Sequence, residues 1–381
     1  MSEKNLQRTV STILAIGAFS LVGVLIVGVI RGDFSGDGGS WGPRVTAPLF
    51  EPGQEHGLIV TADGGQRLLS LSVPDGTVNA AVDLPGRAAT IVPTPGGVSV
   101  WVTFADRREI EIYSTADLSH QATLRPEGGG GGTPASLTFS ENGDTLFVTW
   151  QEDARISIYR HDMRELTLIR EVSADDAAGT VGPVVRNRRA TWIYRVEESG
   201  NLAAFFVQNG QRLDSISVPG GGAHAEAPPV FTADYTAAWA LTETGDLVGI
   251  DAAQDRAYRR ELDFQPARGH PPVMVGEEDR GLVERSGEQG VHRVNLFDIE
   301  NPEESGRVDL ASEGVDSTIV AMVAAGNGAA LLVTADGTLV TIDGRSLELV
   351  ETAEIRDGDQ PIQPRTAAAW TINEEGNFAC F

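Results

Sequence analysis

The chain has 381 residues, a formal net charge of −25, 44 Gly and one Cys, Cys380. So acidic a surface excludes sequence-independent nucleic-acid binding, which needs cations to neutralise phosphates. One Cys excludes an intrachain disulfide, a thiolate metal site and a Cys-x-x-Cys-His haem attachment.

The first element is Val10–Ile30, VSTILAIGAFSLVGVLIVGVI, which carries no charge. At ~1.5 Å per residue it spans ~31 Å, the thickness of a bilayer's hydrocarbon core. A signal-peptide apolar run is shorter and ends in a small-x-small site, whereas this one ends in Val29-Ile30-Arg31. The expectation is an uncleaved transmembrane helix over 10–30. Lys4 and Arg8 precede it, while Arg31 and Arg44 follow it mixed with Asp33 and Asp37. That bias places residues 1–9 in the cytoplasm and the C-terminal part in the periplasm or outside the cell. Residues 31–44, RGDFSGDGGSWGPR, read as a Gly-rich linker.

Residues 45–381 repeat one unit. LIVTADGGQRLLSL (58–71) and LLVTADGTLVTI (331–342) each place an Asp-Gly turn between alternating strands. That is a strong hairpin signal. Weaker copies cover 98–114, 145–162, 191–210, 237–255 and 281–302. The copies start roughly 41 to 49 residues apart, the period of propeller blades. A strand precedes each hairpin after the first, as in ASLTFS (135–140) and TIVAMVAA (318–325), and another follows, as in LTLIREV (166–172) and RLDSISV (212–218). The expected fold is all-β, a seven-bladed β-propeller preceded by a single transmembrane α-helix. The first copy lacks its first strand. TAAAWTINEEGNFACF (366–381) lines up with a first strand and the start of a second, so it can complete that blade.

FSENGDTLFVTW (139–150), echoed by WTINEEGNFACF (370–381), resembles the YVTN-type repeat of surface-protein propellers and the related lactonase-like propellers. The WD40 Gly-His/Trp-Asp pair, the Asp-box and the Trp-ending motif of quinone-binding propellers are absent from the sequence, and no cofactor is expected.

The long irregular segments join a fourth strand to the next first strand: 126–134, 173–183, 219–229, 265–272 and 356–366. Loops on a rigid scaffold are where binding evolves. Two of them carry His224 with Glu226, and Arg268 with His270. Such a set binds a metal or moves a proton, although solvated loop residues are the plainer reading. Asp175-Asp176 and Asp357 with Asp359 are oxygen donors of the kind Ca²⁺ takes. Gly128–Gly132 opens no helix and fails as a phosphate loop. His120, His161 and His292 show no ligand spacing.

These observations contain no catalytic set. They point to a non-catalytic, membrane-anchored scaffold or accessory subunit with a protein partner in a membrane or envelope complex. The resemblance implies one alternative, a lactonase-like metal-dependent hydrolase. A ligand-binding receptor is the other.

Overall fold

The computed structural model describes residues 55–380, except 96, 141, 152, 163, 187–190, 214, 220–221, 224–228, 232–236, 243, 245–246, 252–255, 261–271, 276–279, 286–292, 299–305, 326–327, 345, 358–359 and 373–377. The chain divides into two units, Met1–Thr46 and Ala47–Phe381, and every described residue belongs to the second. The tail 1–9, the expected membrane helix 10–30 and the linker 31–44 lie outside the described residues. Among the described residues no helix is long and apolar enough to cross a membrane.

Strands dominate, and they fall into successive antiparallel sheets. Sheet 1 holds β1 (Glu55–Ala62), β2 (Arg67–Ser72) and β3 (Val78–Asp83). Sheet 2 holds β4 (Ala88–Pro93), β5 (Ser99–Phe104), β6 (Ile110–Ser114) and β7 (His120–Leu124). Sheet 3 holds β8 (Pro134–Phe139), β9 (Thr145–Trp150), β10 (Ile156–His161) and β11 (Leu166–Val172). Sheet 4 holds β12 (Thr180–Arg186), β13 (Trp192–Glu197) and β14 (Leu202–Phe206). Sheet 5 holds β15 (Val230–Phe231), β16 (Ala237–Leu241), β17 (Leu247–Asp251) and β18 (Arg256–Arg260). Sheet 6 holds β19 (Val273–Val275), β20 (Arg280–Arg285), β21 (Arg293–Asp298) and β22 (Arg307–Asp309). Sheet 7 holds β23 (Ile319–Ala325), β24 (Ala329–Thr334), β25 (Thr338–Asp343) and β26 (Glu348–Glu354). A short ribbon of β27 (Arg356–Asp357) and β28 (Gln360–Pro361) follows.

The chain then returns to its beginning. β29 (Pro364–Ile372) pairs antiparallel with β1, from Ala62↔Pro364 to Glu55↔Ile372, and becomes the first strand of sheet 1. The last strand, β30 (Phe378–Cys380), does not begin a second strand, as the alignment with 135–150 suggested. β1 already occupies that edge of β29, so β30 pairs on the other edge, with Trp370 opposite Cys380.

The first strands stand side by side. β29 packs against β23 and β4, β4 against β8, β8 against β12, β15 against β19, and β19 against β23. An apolar cluster containing Val196, Ala204, Ala238 and Val248 joins sheets 4 and 5. The sheets therefore close into a ring.

Second strands sit between two neighbouring sheets, which explains their continuous apolar runs. In β5, Val100, Val102 and Phe104 pack toward sheet 1 while Trp101 packs toward sheet 3. In β9, Leu146 and Val148 face sheet 2 while Phe147 faces sheet 4. Each such fully buried Leu, Val or Phe contributes about 1.5–3 kcal/mol. Outer strands alternate instead: β26 is exposed at every second residue. Four outer strands also carry a bulge, at Asn79, Gln121, Ile169 and Val350. A bulge there twists the edge away from pairing with another molecule.

Candidate functional site

Two sets of connections meet on one face of the ring. They are the turns between second and third strands and the segments leading into each first strand. Ala105 N–H donates to Arg87 O at 3.0 Å, Gln151 N–H to Thr133 O at 3.0 Å, Glu198 N–H to Gly179 O at 2.7 Å and Ala335 N–H to Thr318 O at 2.8 Å. Close approach of backbone tightens the contact elsewhere: a Cβ on Gly222 would lie 2.4 Å from Gly200 Cα.

First strands are bulged near this face. The register skips Ala89, Ala135, Val320 and Arg365, and β12 has a wider break between Val181 and Val185. Bulges release backbone groups from the ladder. Side chains of neighbouring first strands take some of them up. Thr90 Oγ1 donates to Ala135 O at 2.9 Å, and Thr138 Oγ1 to Val184 O at 2.7 Å.

Sheet 3 carries a connected polar network on this face. Gly129 lies on the indole of Trp150, where a Cβ would come within 2.0 Å of the ring. Its N–H donates to Glu171 Oε1 at 2.9 Å. That carboxylate also accepts from Ser157 Oγ at 3.0 Å, and Ser157 accepts from Trp150 Nε1 at 2.9 Å. Arg108 donates to Gly128 O at 2.7 Å and stands 5.6 Å over the Trp150 ring. The Tyr159 hydroxyl donates to Glu127 O, and burial pushes its pKa up to about 12. The glycine run is thus a cap closed by the protein's own carboxylate.

Arg195, in β13, is the second notable residue. It is 5% exposed, and burial draws its guanidinium down to about 10. Nε donates to Gly182 O at 2.8 Å, a carbonyl released by the β12 bulge. Nη1 donates to Ala154 O at 2.8 Å and Thr180 Oγ1 at 3.2 Å. It therefore ties sheet 4 to the turn of sheet 3 through neutral oxygens. Among the described residues of the rim, Arg groups pair with carboxylates. Arg67 pairs with Asp357 and, at 3.8 Å, Asp83; Arg125 pairs with Glu109 at 3.1 Å; Arg155 pairs with Asp153 at 3.2 Å; and Arg212 pairs with Glu197.

The chemistry available at the ring's inside follows from its strands. β4, β8, β12, β15, β19, β23 and β29 contain no Asp, Glu, His or Cys, and their charged residues are Arg186 and Arg365. β30 contains Cys380 in its sequence. Among the described residues no group of His, Cys, Asp and Glu has metal-binding geometry.

His224, Glu226, Arg268 and His270 lie outside the described residues. Of the acidic pairs, Asp176 accepts from Ser173 Oγ at 2.7 Å, and Asp357 pairs with Arg67. His120 lies away from the face, with Nε2 2.5 Å from the buried carboxylate of Glu111. Arg195 escaped sequence reasoning, although an Arg set between Tyr194 and Val196 in a second strand was a signal for it.

Solved structures were then compared with this ring. BamB from Moraxella catarrhalis matches at 11% identity and a TM-score of 0.51, covering 85% of this chain and 90% of that one. The dihydro-heme d1 dehydrogenase NirN matches at 13% identity and a TM-score of 0.59, covering 85% of this chain and 76% of that one. The Myceliophteria thermophila Cps50 (Swd1) β-propeller domain matches at 14% identity and a TM-score of 0.54, covering 77% of this chain and 95% of that one. The fold is a β-propeller. No family model and no curated sequence matches the chain. The sheets are accordingly blades, the face described above is a face of the propeller, and these distant similarities establish the fold alone.

Proposed function

We propose that this is a seven-bladed propeller held at a membrane by residues 10–30, with its C-terminal domain periplasmic or extracellular. There it acts as a non-catalytic scaffold or accessory subunit of a membrane or envelope complex. One observation carries the non-catalytic part: among the described residues, the first strands of the sheets lack acids, imidazoles and thiols. A metal-dependent hydrolase working in the channel needs convergent oxygen or nitrogen ligands there. The rim supports a binding role, because a surface carrying Arg–carboxylate pairs can match a polar protein surface. The charge-free 21-residue run Val10–Ile30 supports the anchor.

The test is purification of the full chain from native membranes in mild detergent. A stoichiometric integral-membrane partner is expected. A monodisperse monomer, or recovery in the soluble fraction without detergent, would overturn the reading.

A further inference from the structure

At the seam between blades 2 and 3, two buried polar atoms belong to touching rings. Trp101 Nε1 and His161 Nδ1 each have no hydrogen-bond partner. Their ring centroids are 4.9 Å apart at an interplanar angle of 67°. Phe139 completes the trio, 5.2 Å from Trp101 and 5.4 Å from His161. Trp101 belongs to β5 in blade 2, while Phe139 and His161 end β8 and β10 in blade 3.

The protonation state follows from chemistry. His161 Nε2 sits on the carbonyl oxygen of Gly143. A carbonyl only accepts, so Nε2 carries the hydrogen and Nδ1 is a lone pair. Indole N–H only donates. The seam therefore holds one unmatched donor beside one unmatched acceptor, and buried groups of this kind are normally satisfied.

We propose that Trp101 and His161 form a proton-sensitive latch between blades 2 and 3. With His161 neutral, its lone pair takes the indole N–H through one bridging water. Protonation at Nδ1 sets two donors against each other inside an apolar seam, and the seam loosens. Burial opposes the imidazolium most strongly and holds the pKa below 6.5, against the hydrogen bond to Gly143 and the pull of Asp144 and Asp162 in blade 3. No charged side chain of blade 2 acts on His161 among the described residues. The folded value lies below the unfolded one, so the latch is closed at neutral pH. It opens as pH falls through that lowered folded value. This device does not depend on what the propeller binds.

The experiment is a fluorescence and hydrogen-exchange titration of the full chain from about pH 8 to about pH 4, across the ordinary histidine range. It compares the native protein with Trp101→Phe and His161→Gln. The native protein is expected to show an emission step with its midpoint below 6.5, because an imidazolium quenches a touching indole. Below that midpoint, amides of β5 and β8 exchange about tenfold faster as the seam opens locally. Both changes are absent in His161→Gln. A step that persists in His161→Gln, a midpoint at or above 6.5, or exchange that ignores the step overturns the latch. Should His161→Gln not fold, Trp101→Phe decides. Without the opposed donor only the burial of His161 remains, so the pH dependence of exchange must weaken, and an undiminished dependence overturns the proposal.

Discussion

Leu58 and Ala369 are paired across an antiparallel ladder that joins the first strand of the domain to its last long one. Leu58 also belongs to an apolar cluster with Val60, Leu331, Val333 and Ile355 between blades 1 and 7. Closure is thus a hydrogen-bonded ladder backed by core packing. It leaves no free inner edge on β1.

Truncation before Pro364 tests that arrangement. It removes β29 and β30, strips β1 of its ladder partner and exposes an apolar strand edge. The truncated protein is expected to lose its cooperative thermal transition or to associate through the exposed edge. Circular dichroism and size-exclusion chromatography check this. A monomer melting within a few degrees of the full domain would show that closure is dispensable.

Gly129 and Gly64 both adopt positive φ, +66° and +71°, but their surroundings differ. Nothing lies within 4 Å of where a Cβ on Gly64 would sit, whereas one on Gly129 would collide with Trp150. Gly64→Ala should cost about 1 kcal/mol, the ordinary penalty of a left-handed backbone. Gly129→Ala should cost about 3 kcal/mol or more, since a buried indole must shift. Urea denaturation of both variants measures the difference. Equal costs would show that the glycine cap is not seated on Trp150.

The architecture was far more legible than the site, for a physical reason. Hairpins such as β24–β25 announce themselves locally through Asp336-Gly337, where Gly337 has φ +89° and a Cβ would lie 2.7 Å from Ile362 O. The stretch 212–218 reads as a strand, but its described residues join β14 through isolated bridges at Arg212 and Ile216. Arg212 reaches Glu197 and the carbonyls of Asp176 and Ala178. Those contacts draw on partners distant in the chain, which periodicity cannot register. The polar network is hidden in the same way, because Gly129 and Glu171 meet only once the sheets are folded. Arg195's partners are largely backbone oxygens, and a carbonyl freed by a bulge leaves no mark on residue type.

Arg195 gives the sharpest mutational test of blade-to-blade coupling. Arg195→Met keeps the volume but leaves the carbonyls of Gly182 and Ala154 without their donor. The expected loss is about 3 kcal/mol, the scale of unsatisfied buried acceptors. Arg195→Lys should recover only part of it, because one ammonium cannot span three acceptors on two blades. Chemical denaturation at neutral pH measures both variants. A Met variant as stable as the parent would mean that desolvating the guanidinium cancels its bonds, as happens for some buried charges.

Acid stability should depend in part on Asp336, in the turn of blade 7. Burial raises its pKa, but hydrogen bonds outweigh that effect and hold it below 3.8: from the Thr334 and Thr338 hydroxyls, from the Thr338 backbone N–H and from Ser317. Glu197 is held below 4.5 in the same manner by Ser215, Ser199 and Arg212 against burial. For each group the unfolded chain binds its proton more readily than the folded one. Their stabilisation is therefore present above the ordinary carboxylate range and is lost as pH falls through the lowered folded values. Denaturation midpoints measured from about pH 6 to about pH 3, spanning that range, should decline at the acid end. The decline should be shallower in Asp336→Asn, whose residue 336 no longer titrates. A variant that follows the parent's acid limb would show that Asp336 titrates alike in both states, and would assign that limb to Glu197 and the other carboxylates.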